Sequence, residues 1–104
     1  MKRMFILLAA LLVVFCMGTA NAGDAAAGKS KSTLCASCHG SDGISANPMW
    51  PNLAGQKDQY LIKQMKEFRD GVRKDPLMSP MSLTLTDEDI ADLAAYYASQ
   101  KPGS

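Results

Sequence analysis

Cys35-Ala36-Ser37-Cys38-His39 is the stretch of sequence that decides the fold and its chemistry. On a helix the two cysteines and the histidine stand at i, i+3 and i+4, so all three share one face. Two thiols can add across the two vinyl groups of a haem, and the adjacent imidazole can ligate its iron. The spacing therefore predicts one covalently bound haem c, held by Cys35 and Cys38, with His39 as an axial ligand.

The same residues fit other kinds of site. A Cys-x-x-Cys pair also occurs in redox dithiols and in zinc sites. A thioredoxin-like dithiol is expected within a βαβ unit, which this sequence does not predict, and structural zinc takes four ligands. A copper or zinc site stays open at this point, because thiolates, imidazole and thioethers all bind such metals. Its ligands would be the three side chains of the motif together with Met78 and Met81.

An export signal precedes the motif. Lys2 and Arg3 form a positive start, residues 4–17 form an uncharged apolar run, and Ala20-Asn21-Ala22 is typical of a cleavage site. We therefore predict a secretory signal peptide over residues 1–22, cleaved after Ala22. The predicted mature protein, residues 23–104, is then a periplasmic domain without a stable membrane anchor. An uncleaved anchor is the alternative, although the run is short for a full span.

The predicted mature chain is small and nearly neutral. A domain of about 80 residues usually needs a stabilising cross-link, metal or cofactor in addition to its apolar core. Cys16 is expected to be removed with the signal peptide, so the two remaining cysteines, both in the motif, leave no structural disulfide. We expect the covalent haem to be the stabilising group. Removal of Lys2 and Arg3 leaves nine basic residues against ten acidic ones. This balance, without any basic block, argues against nucleic-acid binding.

The rest of the chain predicts helices separated by loops, without strands. Asp24 lies at the positive end of a first helix, Gly71 is a typical stop after a second, and Thr86 is a typical N-cap of the last. The predicted helices cover residues 24 to about 34, 58–70 and 87 to about 100, with loops over 39–55 and 71–85. Two apolar stripes mark the buried faces: Leu61, Ile62, Met65 and Phe68 on the second helix, and Ile90, Leu93, Ala94 and Tyr97 on the last.

These features together resemble the small class I c-type cytochromes of bacteria, in particular the cytochrome c-553/c-4 branch. The resemblance implies an all-α class I cytochrome c fold, with about three main helices around one haem. Members of the c-4 branch carry two such domains and this sequence has one, so it resembles a monohaem relative. The matching segments are residues 35–40 (Cys-Ala-Ser-Cys-His-Gly), 51–56 (Pro-Asn-Leu-Ala-Gly-Gln), 60–65 (Tyr-Leu-Ile-Lys-Gln-Met), and 85–90 (Leu-Thr-Asp-Glu-Asp-Ile) through Tyr96-Tyr97.

Similar cytochromes cross their first and last helices where a small residue meets an aromatic one. The resemblance therefore implies that Gly28 packs against Tyr97, with Tyr96 as the alternative aromatic. A bulky side chain at Gly28 would overpack such a crossing.

The second axial ligand is expected to be a methionine. His39 is the only histidine of the chain, so two histidines from one chain cannot ligate the iron. Met65 lies on an apolar stripe, which favours core packing, whereas Met78 and Met81 lie in the loop before the last helix. The resemblance implies that Met78 reaches the iron, with Met81 as the alternative. It also implies that the Pro51 carbonyl accepts a hydrogen bond from the other nitrogen of His39.

The resemblance and the ligand set together predict periplasmic electron transfer rather than catalysis. Expected donors are a quinol-oxidising complex or a periplasmic dehydrogenase, expected acceptors are a terminal oxidase or reductase, and the carrier is expected to be a monomer. A gas-binding or enzymatic haem domain with a displaceable sixth ligand is the alternative. The basic residues around the second helix are either a docking patch or a solvated face: Lys57, Lys63, Lys66, Arg69, Arg73 and Lys74.

Overall fold

The computed structural model describes residues 23–103, which form five α-helices and no strand. The predicted all-α class is therefore confirmed for this part of the chain. The signal peptide predicted for residues 1–22 and Cys16 lie outside the described residues. The helices are α1 (Ala25–Lys31), α2 (Thr33–His39), α3 (Asp58–Arg69), α4 (Met78–Ser82) and α5 (Asp87–Ser99).

The first predicted helix is in fact two helices with a turn between them. Ser32 interrupts the helix, because its backbone N–H donates to the Lys29 carbonyl at 3.3 Å and its hydroxyl donates to the same oxygen at 2.7 Å. A serine that bonds its own backbone in this way competes with the helical pattern. The chain restarts as α2 at Thr33, and this second helix carries the Cys-x-x-Cys-His motif.

The helices α1 and α5, the first and last of the described residues, cross in close contact. Gly28 is buried there, and a Cβ on it would overlap the carbonyl of Asp92 and lie 2.8 Å from the Cβ of Tyr96. The small residue at the crossing was predicted correctly, and the aromatic residue nearest to it is the alternative, Tyr96, rather than Tyr97. Consecutive residues on a helix point about 100° apart, so Tyr97 is directed to another side of α5.

The core lies where α3 packs against α5. Both predicted apolar stripes are confirmed: Leu61 and Phe68 of α3 are buried, and Ile62 and Met65 are half-buried against the core. On α5 the predicted stripe of Ile90, Leu93, Ala94 and Tyr97 is buried, together with Asp92 and Tyr96. The helix α3 ends at Arg69, and Gly71 follows with φ +78°, a left-handed conformation that suits glycine at this position.

A short helix, α4, lies inside the segment 71–85 that the sequence predicted as a loop. The Asp75 carboxylate accepts hydrogen bonds from the backbone N–H groups of Leu77 and Met78, at 2.9 and 2.8 Å. The Ser79 hydroxyl in turn accepts from the N–H of Asp75 at 2.9 Å. Pro80 stands in the first turn of α4, where a missing N–H costs little. These local bonds allow a helix that apolar periodicity alone does not reveal.

The start of α5 is held by caps and by charges. The Thr86 hydroxyl accepts from the N–H of Asp89 and the Asp89 carboxylate accepts from the N–H of Thr86, both at 3.0 Å, which confirms Thr86 as the N-cap. The Lys31 ammonium of α1 donates to Asp92 at 2.6 Å and pairs with Asp89 at 2.9 Å. The Asp92 carboxylate also accepts from the backbone N–H of Asp24 at 2.8 Å. These bonds fasten the beginning of the described chain to its last helix.

None of the helices between residues 23 and 103 has the length and apolar character that a membrane span requires.

Candidate functional site

A largely apolar cavity of about 770 Å³ opens between the helices. Its volume falls within the range of roughly 300–1,000 Å³ that is typical of cofactor and small-molecule sites. The motif on α2 supplies one part of its lining, and α4 supplies another. The lining includes every side chain that the sequence singled out for chemistry: Cys35, Cys38, His39, Met78 and Met81.

The helix α2 presents the three side chains of the motif to this cavity. Cys35 and Cys38 are half-buried free thiols, and His39 is buried. Burial raises the pKa of the Cys35 thiol. The helix ends directly after His39, because Gly40 adopts φ +84° and its N–H donates to the Ala36 carbonyl. The sharp exit at Gly40 turns the chain away immediately after the last of the three side chains.

The imidazole of His39 is held by a backbone carbonyl. Its Nδ1 lies 2.8 Å from the carbonyl oxygen of Pro51, which is the contact that the family resemblance predicts. A carbonyl oxygen can only accept, so Nδ1 must carry the proton. In the neutral ring, Nε2 is then left with a free lone pair. This is the tautomer that a metal ligand requires.

The loop that carries Pro51 is anchored on both sides. The backbone N–H groups of Leu53 and Ala54 donate to the Gly43 carbonyl, at 2.7 and 3.0 Å. The N–H of Gly55 donates to the carbonyl of Tyr97 at 2.9 Å. The Pro51 carbonyl is thus held in place by the segment after the motif and by α5.

The methionines of the described chain differ in their surroundings. Met78 and Met81 both line the cavity, and their spacing of three residues puts them on one face of α4. Met78 is half-buried, whereas Met81 is 44% exposed. Met65 packs against the core, as its position on the stripe predicted, and also contributes to the cavity lining. Met49 is 82% exposed, and it lies close in sequence to Pro51 on the histidine side.

Tyr97 contributes a polar group to this site that was not predicted from the sequence. Its ring is 2% exposed and lines the cavity, and its hydroxyl is buried without a hydrogen-bond partner among residues 23–103. Burial raises the pKa of the Tyr97 phenol, and the neighbouring Cys35 thiol raises it further. The apolar periodicity of α5 placed Tyr97 in the core, but periodicity does not say where a hydroxyl at the end of a ring will lie.

Three of the six basic residues around α3 are engaged locally. Lys63 pairs with Glu67 at 3.7 Å, and the Arg69 guanidinium lies 2.8 Å from Asp70 and 2.7 Å from Asp87. The Arg73 guanidinium stacks over the Phe68 ring at 4.5 Å and donates to the Gln64 side chain at 2.6 Å. This pairing favours a solvated helix face over a charged docking patch.

The rim of the cavity carries exposed apolar side chains. Leu34 is 72% exposed, Leu77 is 56% exposed, and both contribute to the cavity lining together with Met49 and Met81. A cluster of exposed apolar groups is unusual on a protein surface unless the surface meets a ligand or a partner. Exposed apolar side chains therefore border the cavity.

The chain matches a known protein family over nearly all of its described residues. The cytochrome c family profile matches residues 25–101. Cytochrome c4 of Pseudomonas aeruginosa is 48% identical over 97 residues, which cover 92% of this chain and 48% of that protein. Cytochrome c-554(548) of Halomonas halodenitrificans is 54% identical over 83 residues, which cover 77% of this chain and 100% of that protein.

A solved structure has the same fold. The crystal structure of reduced recombinant cytochrome c4 from Pseudomonas stutzeri superimposes with a TM-score of 0.74 at 44% identity. The match covers 77% of this chain and 47% of that one. The chain thus spans about half the length of the cytochrome c4 proteins that it matches.

Proposed function

Because this chain belongs to the cytochrome c family, we propose that it is a periplasmic one-electron carrier that uses a single, covalently bound haem c. The observation that carries the proposal is the cavity in which the thiols and imidazole of α2 meet the methionines of α4. Haem c is the cofactor of this family, and Cys35-Ala36-Ser37-Cys38-His39 fits its attachment motif.

The side chains around the cavity suit this group. Two thiols, an imidazole with a free Nε2, thioethers and an apolar wall are the donor set and surroundings of a c-type haem. Cys35 and Cys38 would each add a sulfur to one vinyl carbon and leave the thiol hydrogen on the other, so no oxidant is needed. Bound haem c supplies a one-electron Fe(III)/Fe(II) couple.

His39 and Met78 would ligate the iron from two elements that are both fixed by local hydrogen bonds, with Met81 as the alternative to Met78. Pro51 would keep the His39 ring oriented through its Nδ1 proton. A methionine sulfur is soft and uncharged, so it favours ferrous iron more than a second imidazole would. Two protein ligands leave no open position for a substrate, which suits electron transfer and argues against catalysis.

Electrons would pass through the rim of the cavity during short encounters. The apolar side chains at this rim, among them Leu34 and Leu77, suit a small docking interface. The proposed donor is a quinol-oxidising complex or a periplasmic dehydrogenase, and the proposed acceptor is a terminal oxidase or reductase. The carrier is proposed to act as a monomer after cleavage behind Ala22.

The test is expression of the full chain in a host that attaches haem c. We expect a haem stain that survives a denaturing gel, a mature mass that begins at Gly23, and a ferrous protein that does not bind carbon monoxide. The variant with both Cys35→Ala and Cys38→Ala should lose the stain, whereas the control Ser37→Ala should keep it. A colourless protein with a metal in place of haem would refute the proposal, and rapid carbon monoxide binding would favour the gas-binding or enzymatic alternative.

A further inference from the structure

The hydroxyl group of Tyr97 is a buried donor that the fold leaves without an acceptor. Its oxygen is shielded from solvent and has no hydrogen-bond partner among residues 23–103. The adjacent tyrosine behaves differently, because the Tyr96 hydroxyl donates to the Ser41 carbonyl at 2.6 Å. Buried polar groups almost always find a partner, so an orphaned hydroxyl beside the cavity indicates a hydrogen bond that forms only when the site is complete.

Cys35 packs against the core cluster that contains Tyr97. Ser32 and Cys35 are the neighbours whose side chains affect the Tyr97 hydroxyl. The Ser32 hydroxyl donates to the Lys29 carbonyl at 2.7 Å and its oxygen can still accept, but Ser32 does not contribute to the cavity lining. Cys35 and Tyr97 both line the cavity. The sulfur is therefore the neighbour of the hydroxyl that lies on the same side as the incoming cofactor.

Attachment would change what this sulfur can do. A free thiol has a hydrogen of its own and can donate weakly, whereas a thioether sulfur has only lone pairs and can only accept. The Tyr97 phenol keeps its proton at any working pH, because burial raises its pKa. After attachment the pair therefore consists of one donor and one acceptor.

We propose, on the basis of the electron-carrier function proposed above, that the Tyr97 hydroxyl donates a hydrogen bond to the Cys35 thioether sulfur and thereby positions the attached edge of the haem and raises its reduction potential. The O–H dipole directs its positive end towards the macrocycle edge in a poorly solvated wall. Such a dipole stabilises the ferrous state, which carries one more electron than the ferric state. Tyr97 is thus a positioning residue that acts through Cys35 and does not touch the iron.

The experiment compares haem-loaded variants that differ only by one hydroxyl. Tyr97→Phe keeps the ring and removes the donor, and Tyr96→Phe is the matched control, because its hydroxyl bonds to Ser41 and does not line the cavity. We expect Tyr97→Phe to shift the midpoint potential to lower values with an unchanged ferric spectrum. We expect Tyr96→Phe to leave the potential unchanged and to lower the stability. A potential for Tyr97→Phe equal to that of the native protein would overturn the inference.

A third variant tests the competing acceptor. If the hydroxyl bonds to Ser32 instead, Ser32→Ala will shift the potential or the tyrosine Raman bands as much as Tyr97→Phe does, which would refute the bond to Cys35. If Ser32→Ala leaves both unchanged, the bond to Cys35 is supported. If the proposed carrier function is wrong, the native protein will show no attached haem. If only this inference is wrong, the native protein and the variants will all carry haem and will have the same reduction potential.

Discussion

The Nδ1 atom of His39 lies 2.8 Å from the carbonyl oxygen of Pro51, although the two residues stand twelve positions apart in the chain. The bond joins the last residue of α2 to a loop without regular structure. That loop is in turn bonded to Gly43 and to Tyr97. The orientation of the imidazole is therefore set by backbone groups, which most substitutions leave in place.

Replacement of Pro51 tests this arrangement. Pro51→Ala keeps the carbonyl and removes only the ring, so we expect the axial imidazole, the absorption spectrum and the midpoint potential to stay as in the native protein. The measurement is the proton NMR spectrum, in which the Nδ1–H of His39 should still exchange slowly. Rapid exchange of this proton would mean that the proline ring, and not the carbonyl, maintains the contact.

The choice between the two methionines of α4 is tested by single substitutions. In Met78→Ala the weak charge-transfer band near the red end of the ferric spectrum should vanish, and the ferrous protein should bind carbon monoxide. Met81→Ala is the matched control three residues away on the same helix, and it should keep the band. If Met81→Ala loses the band while Met78→Ala keeps it, the axial assignment is reversed.

The crossing of α1 and α5 leaves no room for a side chain at Gly28. Gly28→Val should cost about 1–3 kcal/mol in the free energy of unfolding, because the added methyl groups meet the Asp92 carbonyl and Tyr96. Ala26→Val on the exposed side of the same helix is the control, and it should cost less than about 0.7 kcal/mol through helix propensity alone. Denaturant melts of the holoprotein measure both values. A neutral Gly28→Val would show that the helices cross elsewhere.

The carboxylate of Asp92 makes the free energy of unfolding depend on pH in the acid range. The Lys31 ammonium and the N–H of Asp24 lower the pKa of Asp92 in the folded state. A lowered carboxyl pKa gives stability that is present above the unfolded value of about 3.9 and is lost as the pH falls below it. We expect the free energy of unfolding to decrease below about pH 4, with a shallower decrease in Asp92→Asn.

The control for this prediction is Glu88→Gln, which removes a carboxylate from an exposed position one turn before Asp92 on α5. Its stability should follow the native pH dependence. Denaturant melts at a series of pH values compare the three proteins. If the native protein and Asp92→Asn lose stability with the same slope, the Lys31–Asp92 pair does not contribute.

Much of this fold follows from the sequence because the signals are local and strong. The motif on α2, the N-cap Thr86 and the stop at Gly71 each depend on a few adjacent residues, and all appear where the pattern predicts them. The stripes of α3 and α5 are periodic over three turns, so their buried faces could be identified directly.

The features that the sequence did not predict depend on side chains that form hydrogen bonds with nearby backbone groups at irregular sequence spacings. Ser32 breaks the first helix through its bonds to the Lys29 carbonyl, and Asp75 starts α4 by accepting from Leu77 and Met78. Tyr96, rather than Tyr97, is the tyrosine nearest to Gly28 at the crossing of α1 and α5. The two tyrosines are adjacent and point about 100° apart around the helix axis, so the periodicity of apolar residues does not distinguish them well.

The packing of α1 against α5 has a consequence for the order of events during synthesis. The first described helix contacts the last one more extensively than any other, so the ends of the domain must meet before the cavity is complete. Residues 35–39 leave the ribosome long before α5 exists, and contacts of such high sequence separation form late. We therefore expect the two thiols to stay accessible until α5 packs against α1, so that the domain closes around its cofactor last.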